Sequence, residues 1–148
     1  MSKFPRVMAA IVSVILYFTL IASVGAFVAI PWLAKYQLAF YFREYVPTLI
    51  FLYVGGLCVI WLVIQFILIM KSVQQGSPFI YRNVKSLAHI AGCCAVCAVD
   101  MVYIQFFTES VTLLICGAIL VFGCLCAIVL ASVFRQAVLY KQENDLTI

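Results

Sequence analysis

Seven cysteines and one acidic residue, all within long apolar segments, are the side chains of this sequence that could do chemistry. Cys94 and Cys97 have the C-x-x-C spacing of thiol oxidoreductases. Such enzymes present the pair to an oxidising compartment, whereas these two residues fall near the expected cytoplasmic end of their segment. Cysteine also packs well between helices as a small apolar residue. We therefore favour packing over the two alternatives, redox chemistry and metal binding, for Cys58, Cys93, Cys94, Cys97, Cys116, Cys124 and Cys126.

Asp100 is the acidic residue that lies well inside an apolar segment. A carboxylate in hydrocarbon is costly unless it is paired, hydrated or protonated, so such a residue is by default a functional-site hypothesis. The alternatives are a proton or cation pathway, and a buried polar clasp or outward-facing aqueous pocket. We favour the clasp or pocket because no second acid or base within the segments could relay a proton.

The chemistry of enzymes and metal sites needs more polar groups than these segments supply. No serine, histidine and carboxylate set falls in plausible proximity, so we expect no enzyme activity, no catalytic residue and no cofactor. A zinc site needs four converging ligands. The single histidine, His89, lies at the end of a segment, and we expect no metal.

The apolar segments themselves decide the fold class. The chain has 148 residues, of which 68% are hydrophobic and 9% charged, against about 25% charged in soluble domains. Four blocks reach the length of about 20 residues that a membrane-spanning helix needs; they cover about 7–30, 48–70, 88–107 and 111–134. The sequence predicts an all-α polytopic membrane protein, with residues 1–148 forming one four-transmembrane-helix bundle.

Basic residues near the ends of the blocks predict the orientation. Seven of them fall on one side of the four blocks: Lys3, Arg6, Lys71, Arg82, Lys85, Arg135 and Lys141. The other side has two, Lys35 and Arg43. Both termini are therefore expected in the cytoplasm of a bacterial cell, with the chain in the cytoplasmic membrane. The basic residues form no run with interleaved aromatic residues, so lipid rather than nucleic acid is the expected neighbour.

Two loops carry local signals. The first loop, 31–47, is rich in aromatic residues, which indicates a segment along the outer membrane surface or, alternatively, a ligand pocket. In the second loop, Gly76 permits a chain reversal, Ser77 can cap a helix, and Pro78 suits the first helical position. We predict an amphipathic cytoplasmic helix that starts at about 78 and continues into the third span. Its cytoplasmic face would contain Arg82, Asn83, Lys85 and Ser86.

Small residues recur at intervals of four in three of the spans, and span two has Gly55 and Gly56. This spacing lets helices approach closely in lipid. It is compatible both with packing inside one chain and with a homodimer.

The loop and the C-terminal residues together carry a family resemblance. The loop positions are Gly76, Pro78, Phe79, Asn83 and Leu87, and the terminal ones are Glu143, Asn144, Asp145, Leu146, Thr147 and Ile148. This combination resembles the bacterial domain-of-unknown-function family 2975. The resemblance implies a small four-span membrane protein whose relatives are often encoded beside a Cro/C1-type helix-turn-helix regulator, and it implies no catalytic residues.

We expect a non-enzymatic, regulatory membrane protein that binds a small cytoplasmic partner, such as a helix-turn-helix transcription regulator, through its cytoplasmic loop and C-terminal tail. The candidate binding residues are Phe79, Asn83, Arg135, Asn144, Asp145 and Leu146. The alternative is a small transporter or export accessory that uses Asp100. A membrane thiol-redox enzyme ranks third.

Overall fold

A computed structural model of the protein contains four long helices. They are α1 (Lys3–Leu33), α2 (Tyr45–Gln74), α3 (Tyr81–Gln105) and α4 (Val111–Leu146). The structure describes residues 3–33, 35 and 45–146, and the side chains of 7–32, 35 and 46–146 among them. No strand occurs in these ranges, and the predicted all-α fold is confirmed. The aromatic part of the first loop, 36–44, lies outside the described residues, as do Thr147 and Ile148.

Each helix is long and apolar enough to cross a membrane. The candidate spans are Val7–Trp32, Val46–Gln74, Tyr81–Gln105 and Val111–Leu146. Because a helix satisfies its backbone hydrogen bonds internally, it is the form that an apolar segment must take in hydrocarbon. Large apolar side chains such as Phe18 and Phe122 are exposed along these helices, where they contact lipid. The chain is a multi-pass membrane protein.

The helices pack in the order of the chain. α1 packs on α2, α2 on α3 and α3 on α4, and within the described residues no other pair of helix backbones comes close. The principal core forms where α3 meets α4, around Leu87, Ile90, Ala91 and Cys94 of α3 and Ala127 of α4, with Leu62 and Ile69 of α2 packed against it. α3 therefore supplies most of the buried surface, while α1 lies at the edge.

Two consecutive glycines of α2 allow it to approach both neighbouring helices. A Cβ placed on Gly56 would lie 2.8 Å from Cδ2 of Phe27 in α1. A Cβ placed on Gly55 would lie 3.5 Å from Oδ2 of Asp100 in α3. Consecutive residues of a helix point about 100° apart, so the two glycines serve different neighbours. The Phe27 ring also packs edge-on against Tyr53, with 5.3 Å between centroids.

The turn between α2 and α3 differs in part from the prediction. Gly76 has φ +75°, as expected for a chain reversal. The Ser77 N–H, however, donates to the Ser72 carbonyl and the Gly76 N–H donates to Val73, so these residues close the C-terminus of α2 in a Schellman motif. Ser77 is thereby used to end one helix and does not cap the next. α3 begins at Tyr81, three residues after Pro78, and Ile80 precedes it without a side-chain cap.

The last helix extends well beyond the predicted fourth span. It continues without a break past Phe134 to Leu146, so the expected helical continuation is present and includes most of the C-terminal tail. We call the end of the molecule that contains the turn 75–80 and the C-terminal end of α4 the turn end. The opposite end contains the short connection between α3 and α4, 106–110, and we call it the hairpin end.

The contact at Gly56 yields a stability prediction. Gly56→Ala forces the Phe27 ring to move, and such overpacking typically costs about 1–3 kcal/mol. Gly92→Ala is the matched control, because no atom lies within 4 Å of a Cβ there. Both substitutions gain the same helix propensity, so the difference isolates the contact between α1 and α2. Thermal unfolding of the purified protein in detergent should rank Gly56→Ala clearly below Gly92→Ala. Equal unfolding temperatures would contradict this packing.

Candidate functional site

Asp100 lies in the half of α3 nearer the hairpin end, with its carboxylate in a nearly apolar environment. The residue is 7% exposed and lies on the face of α3 that meets α2 at Gly55. Within the described part of the chain, no hydrogen bond or salt bridge to its carboxylate is formed. The predicted polar clasp thus has no partner among these residues. The absence of a side chain at Gly55 leaves space directly beside Oδ2.

Two cavities meet at Asp100. The larger, about 650 Å³, is lined by α1, α2 and α3 and by one residue of α4, and its wall includes Phe27, Gly55 and Asp100. The smaller, about 470 Å³, lies between α2 and α3 and includes Ile50, Val99 and Asp100. Ile50 and Val99 are exposed residues of membrane-spanning helices, so the smaller cavity opens towards lipid. One carboxylate therefore borders both spaces.

The other polar groups on the wall of the larger cavity do not bond to the carboxylate. Thr19 Oγ1 donates to the Ile15 carbonyl at 2.9 Å, and Ser23 Oγ donates to the Thr19 carbonyl at 2.6 Å. Both hydroxyl protons are therefore used within α1, which leaves the two oxygens as hydrogen-bond acceptors. The lining of the cavity thus includes two acceptor hydroxyls and one carboxyl group.

The two cysteines of the C-x-x-C motif, Cys94 and Cys97, do not lie against each other but against cysteines of other helices. Cys97 lies close to Cys58 of α2. Cys94 instead packs in the core beside Cys124 of α4. The two members of the C-x-x-C motif thus contact different helices, and all seven cysteines are free thiols. Among the described residues, no group of three or more histidine, cysteine or acidic side chains is arranged to hold a metal ion.

Polar side chains hold the turn end together. The Asn83 amide donates to the Pro78 carbonyl at 2.7 Å, and the Arg82 guanidinium donates to Ser72 Oγ at 3.2 Å. Gln74 reaches α1, where its Nε2 donates to Ser13 Oγ at 2.7 Å and to the Ala9 carbonyl at 3.2 Å. These bonds link α1, α2, the turn and the start of α3. The sequence reasoning did not single out Gln74 or Ser72; the only signal was a polar residue near the end of an apolar block.

The predicted faces of the helix after the turn require a correction. Asn83 is 0% exposed and Ser86 3% exposed, although both were expected on the cytoplasmic face. Asn83, Leu87 and Ile90 recur at helical spacing on one face, and that face packs into the assembly. Asn83 therefore stabilises the turn and is not accessible to a partner. Arg82 and Lys85 are exposed as expected.

The remaining candidate binding residues lie at the turn end but do not form one patch. Phe79 is 44% exposed and its ring packs against Phe134 of α4, with 5.4 Å between centroids. Arg135 and Leu146 are both exposed, and their separation of 11 residues, about three turns, places them on one face of α4. Asn144 and Asp145 are also exposed, but they lie on other faces: Asp145 is about 100° and Asn144 about 200° around the helix from Leu146.

The role of Asn83 yields a second stability prediction. Asn83→Ala removes the bond to the Pro78 carbonyl, which still accepts from the Ile80 N–H at 3.2 Å. The free energy of unfolding should fall by about 0.5–1.5 kcal/mol, the net contribution of a typical hydrogen bond. Asn144→Ala is the control, because it changes the same residue type at an exposed helical position. Denaturant titration in detergent should separate the two variants. Equal stability would show that Asn83 does not stabilise the turn.

Comparison with known proteins identifies a family. The family model described as Protein of unknown function (DUF2975) matches residues 37–148, a range that contains α2, α3 and α4. No curated protein matches the chain, and no solved structure matches it. The match covers well over half of the sequence, as the loop and C-terminal motifs indicated, and the chain belongs to the DUF2975 family.

Proposed function

We propose that the protein is a non-enzymatic regulator in the bacterial cytoplasmic membrane. In this proposal both termini are cytoplasmic, and the turn end binds a small soluble protein through Phe79 and the C-terminal part of α4. A helix-turn-helix transcription regulator is the partner that the family resemblance implies. The seven basic residues around the turn end support this orientation.

The observation that carries the proposal is the length of α4 together with its exposed residues. Its 36 residues extend about 54 Å, whereas the hydrocarbon core is about 30 Å thick. The helix is therefore about 16 residues longer than the core requires, and we call the part after Phe134, residues 135–146, the extension. In this extension Leu139, Tyr140 and Leu146 are exposed apolar side chains, interspersed with charged ones. An amphipathic helix with unpaired apolar residues in water is suited to dock against another protein.

The contacts at the turn end provide a route by which a change in helix packing within the membrane could alter partner binding. Phe79 of the turn packs on Phe134, just before the extension begins. The start of α3 is bonded to α2 through Arg82, and α2 is bonded to α1 through Gln74. A shift in helix packing would therefore change the position of Phe79 relative to the extension. The mechanism proposed is a population shift between a partner-holding and a partner-releasing arrangement.

Transport, or assistance to an exporter, is the second candidate function. It is favoured by a single observation, the buried carboxylate that borders two cavities. If this function holds, Asp100→Asn should abolish transport of, or resistance to, a toxic solute, because the charge that contacts the solute is lost. An unchanged phenotype in a protein otherwise shown to transport would remove Asp100 from that mechanism.

Partner binding is tested by crosslinking in native membranes, followed by affinity recovery and mass spectrometry. The intact chain should recover a small DNA-binding protein, and a chain lacking 143–148 should not. Leu146→Ser should weaken recovery, because an exposed apolar contact is lost. Phe106→Ser is the matched control: Phe106 is 84% exposed at the hairpin end, and Leu146 is 86% exposed at the turn end.

The recovered regulator should then be mixed with the purified chain in lipid nanodiscs to show direct binding. Equal retention of the regulator by the intact and the shortened chain would exclude the C-terminal surface. Equal losses for Leu146→Ser and Phe106→Ser would also contradict the proposal, since they would indicate a general defect in the membrane protein.

A further inference from the structure

The larger cavity has walls of a composition that selects for one kind of ligand. Its lining is apolar except for the Thr19 and Ser23 hydroxyls, the Cys97 thiol and the Asp100 carboxylate. Each of the two hydroxyls donates a hydrogen bond to a backbone carbonyl of α1. The Cys97 thiol lies near Cys58 of α2. A ligand that needs hydrogen-bond donors would find none at these hydroxyls, whereas a ligand with a positive charge would find a carboxylate.

The carboxylate is positioned for contact with such a ligand. Asp100 is buried at 7% exposure, and among the described residues its carboxylate has no hydrogen-bond donor and no cation. Burying an ionised carboxylate without a partner is costly, and a bound cation would supply the missing charge. Gly55 keeps the space at Oδ2 open, whereas the neighbouring Gly56 is covered by Phe27.

The nature of the cation follows from the small number of oxygen ligands. Hard metal ions such as Ca²⁺ and Mg²⁺ take six or more oxygens, and a single carboxylate supplies two. An organic cation instead needs one charge contact and a large apolar surface. The cavity of about 650 Å³ offers this surface, including the rings of Phe27 and Phe51, whose faces also attract cations.

We propose that this cavity is a binding site for a hydrophobic, monovalent organic cation, whose charge lies against Asp100 and whose apolar groups lie against α1 and α2. The ligand partitions into the membrane and enters between the helices. The site lies within the spans, at a distance from the turn end, and it goes beyond the proposed partner binding. Failure of either proposal leaves the other intact, because the two use different residues and different assays.

The direct test compares two probes of the same shape and opposite charge. Tetraphenylphosphonium is a cation and tetraphenylborate an anion with the same four phenyl groups. Each radiolabelled probe is titrated against the full chain in lipid nanodiscs, and binding to empty nanodiscs is subtracted. The chain should bind the cation saturably and should not bind the anion. Saturable binding of the anion with similar affinity, or no saturable binding of the cation, would overturn the proposal.

Variants then locate the site. Asp100→Asn should weaken binding of tetraphenylphosphonium about tenfold or more, as expected for loss of an interaction with a charged group. Asp100→Glu, which keeps the charge, should retain more binding than Asp100→Asn. Glu109→Gln is the control, because it removes an exposed negative charge at the hairpin end, outside the cavity. Equal affinities for Asp100→Asn and the unaltered chain would overturn the assignment.

A chemical measurement on the unaltered chain avoids dependence on variants that fold poorly. Dicyclohexylcarbodiimide, a hydrophobic reagent for carboxyl groups, should label Asp100, and peptide mass spectrometry can locate the label. Tetraphenylphosphonium should slow this labelling, whereas tetraphenylborate should not. Failure to label Asp100, or an equal rate with and without the cation, would contradict a ligand-accessible carboxylate at this site.

Discussion

The close approach of α2 to α1 depends on Gly56, a residue without a side chain. Gly56 receives the Phe27 ring of α1, and Gly55 faces Asp100 of α3. Helices in lipid have no hydrophobic drive towards one another, so close packing at small residues is a main source of their association. The contact at Gly56 therefore supports the packing of α1 on α2. Gly55, about 100° around the helix, leaves space beside the Asp100 carboxylate.

The two ends of the membrane part are held in different ways. At the turn end, hydrogen bonds of Gln74, Arg82 and Asn83 fix the helix ends against one another. Around Asp100, by contrast, the helices leave open clefts with apolar walls, and the carboxylate has no partner among the described residues. Side chains that border such a cleft lack packing partners on one side. The turn end is therefore fixed by hydrogen bonds, whereas the helices around Asp100 are held mainly by apolar contacts.

The sequence could predict which segments cross the membrane, because composition and length alone decide that question. It could not predict which face of a helix is buried when polar and apolar residues share the surface. Asn83 and Ser86 were expected to face solvent. The face of α3 that is buried is decided by Leu87 and Ile90, which pack against α2 and α4, and Asn83 lies on that same face. The Gly76–Ser77 pair is equally suited to end α2 or to begin α3, and only the backbone bonds to Ser72 and Val73 distinguish the two. Asp100 could be recognised as exceptional from its position in an apolar block, but its cavities depend on Gly55 and on α1, which are far from it in the chain.

The family match and the packing divide the chain at the same place. The matched range begins at 37 and includes Gly55, Asp100, the turn and the extension of α4. α1 lies before it, packs on α2 alone among the described helices, and still supplies Thr19, Ser23 and Phe27 to the larger cavity. Asp100 thus belongs to the range that the family model matches, whereas one wall of the larger cavity comes from α1, which lies outside that range. Because α1 forms one wall of the larger cavity, the position of α1 on α2 contributes to the volume on that side of the carboxylate, whereas the smaller cavity is lined by α2 and α3.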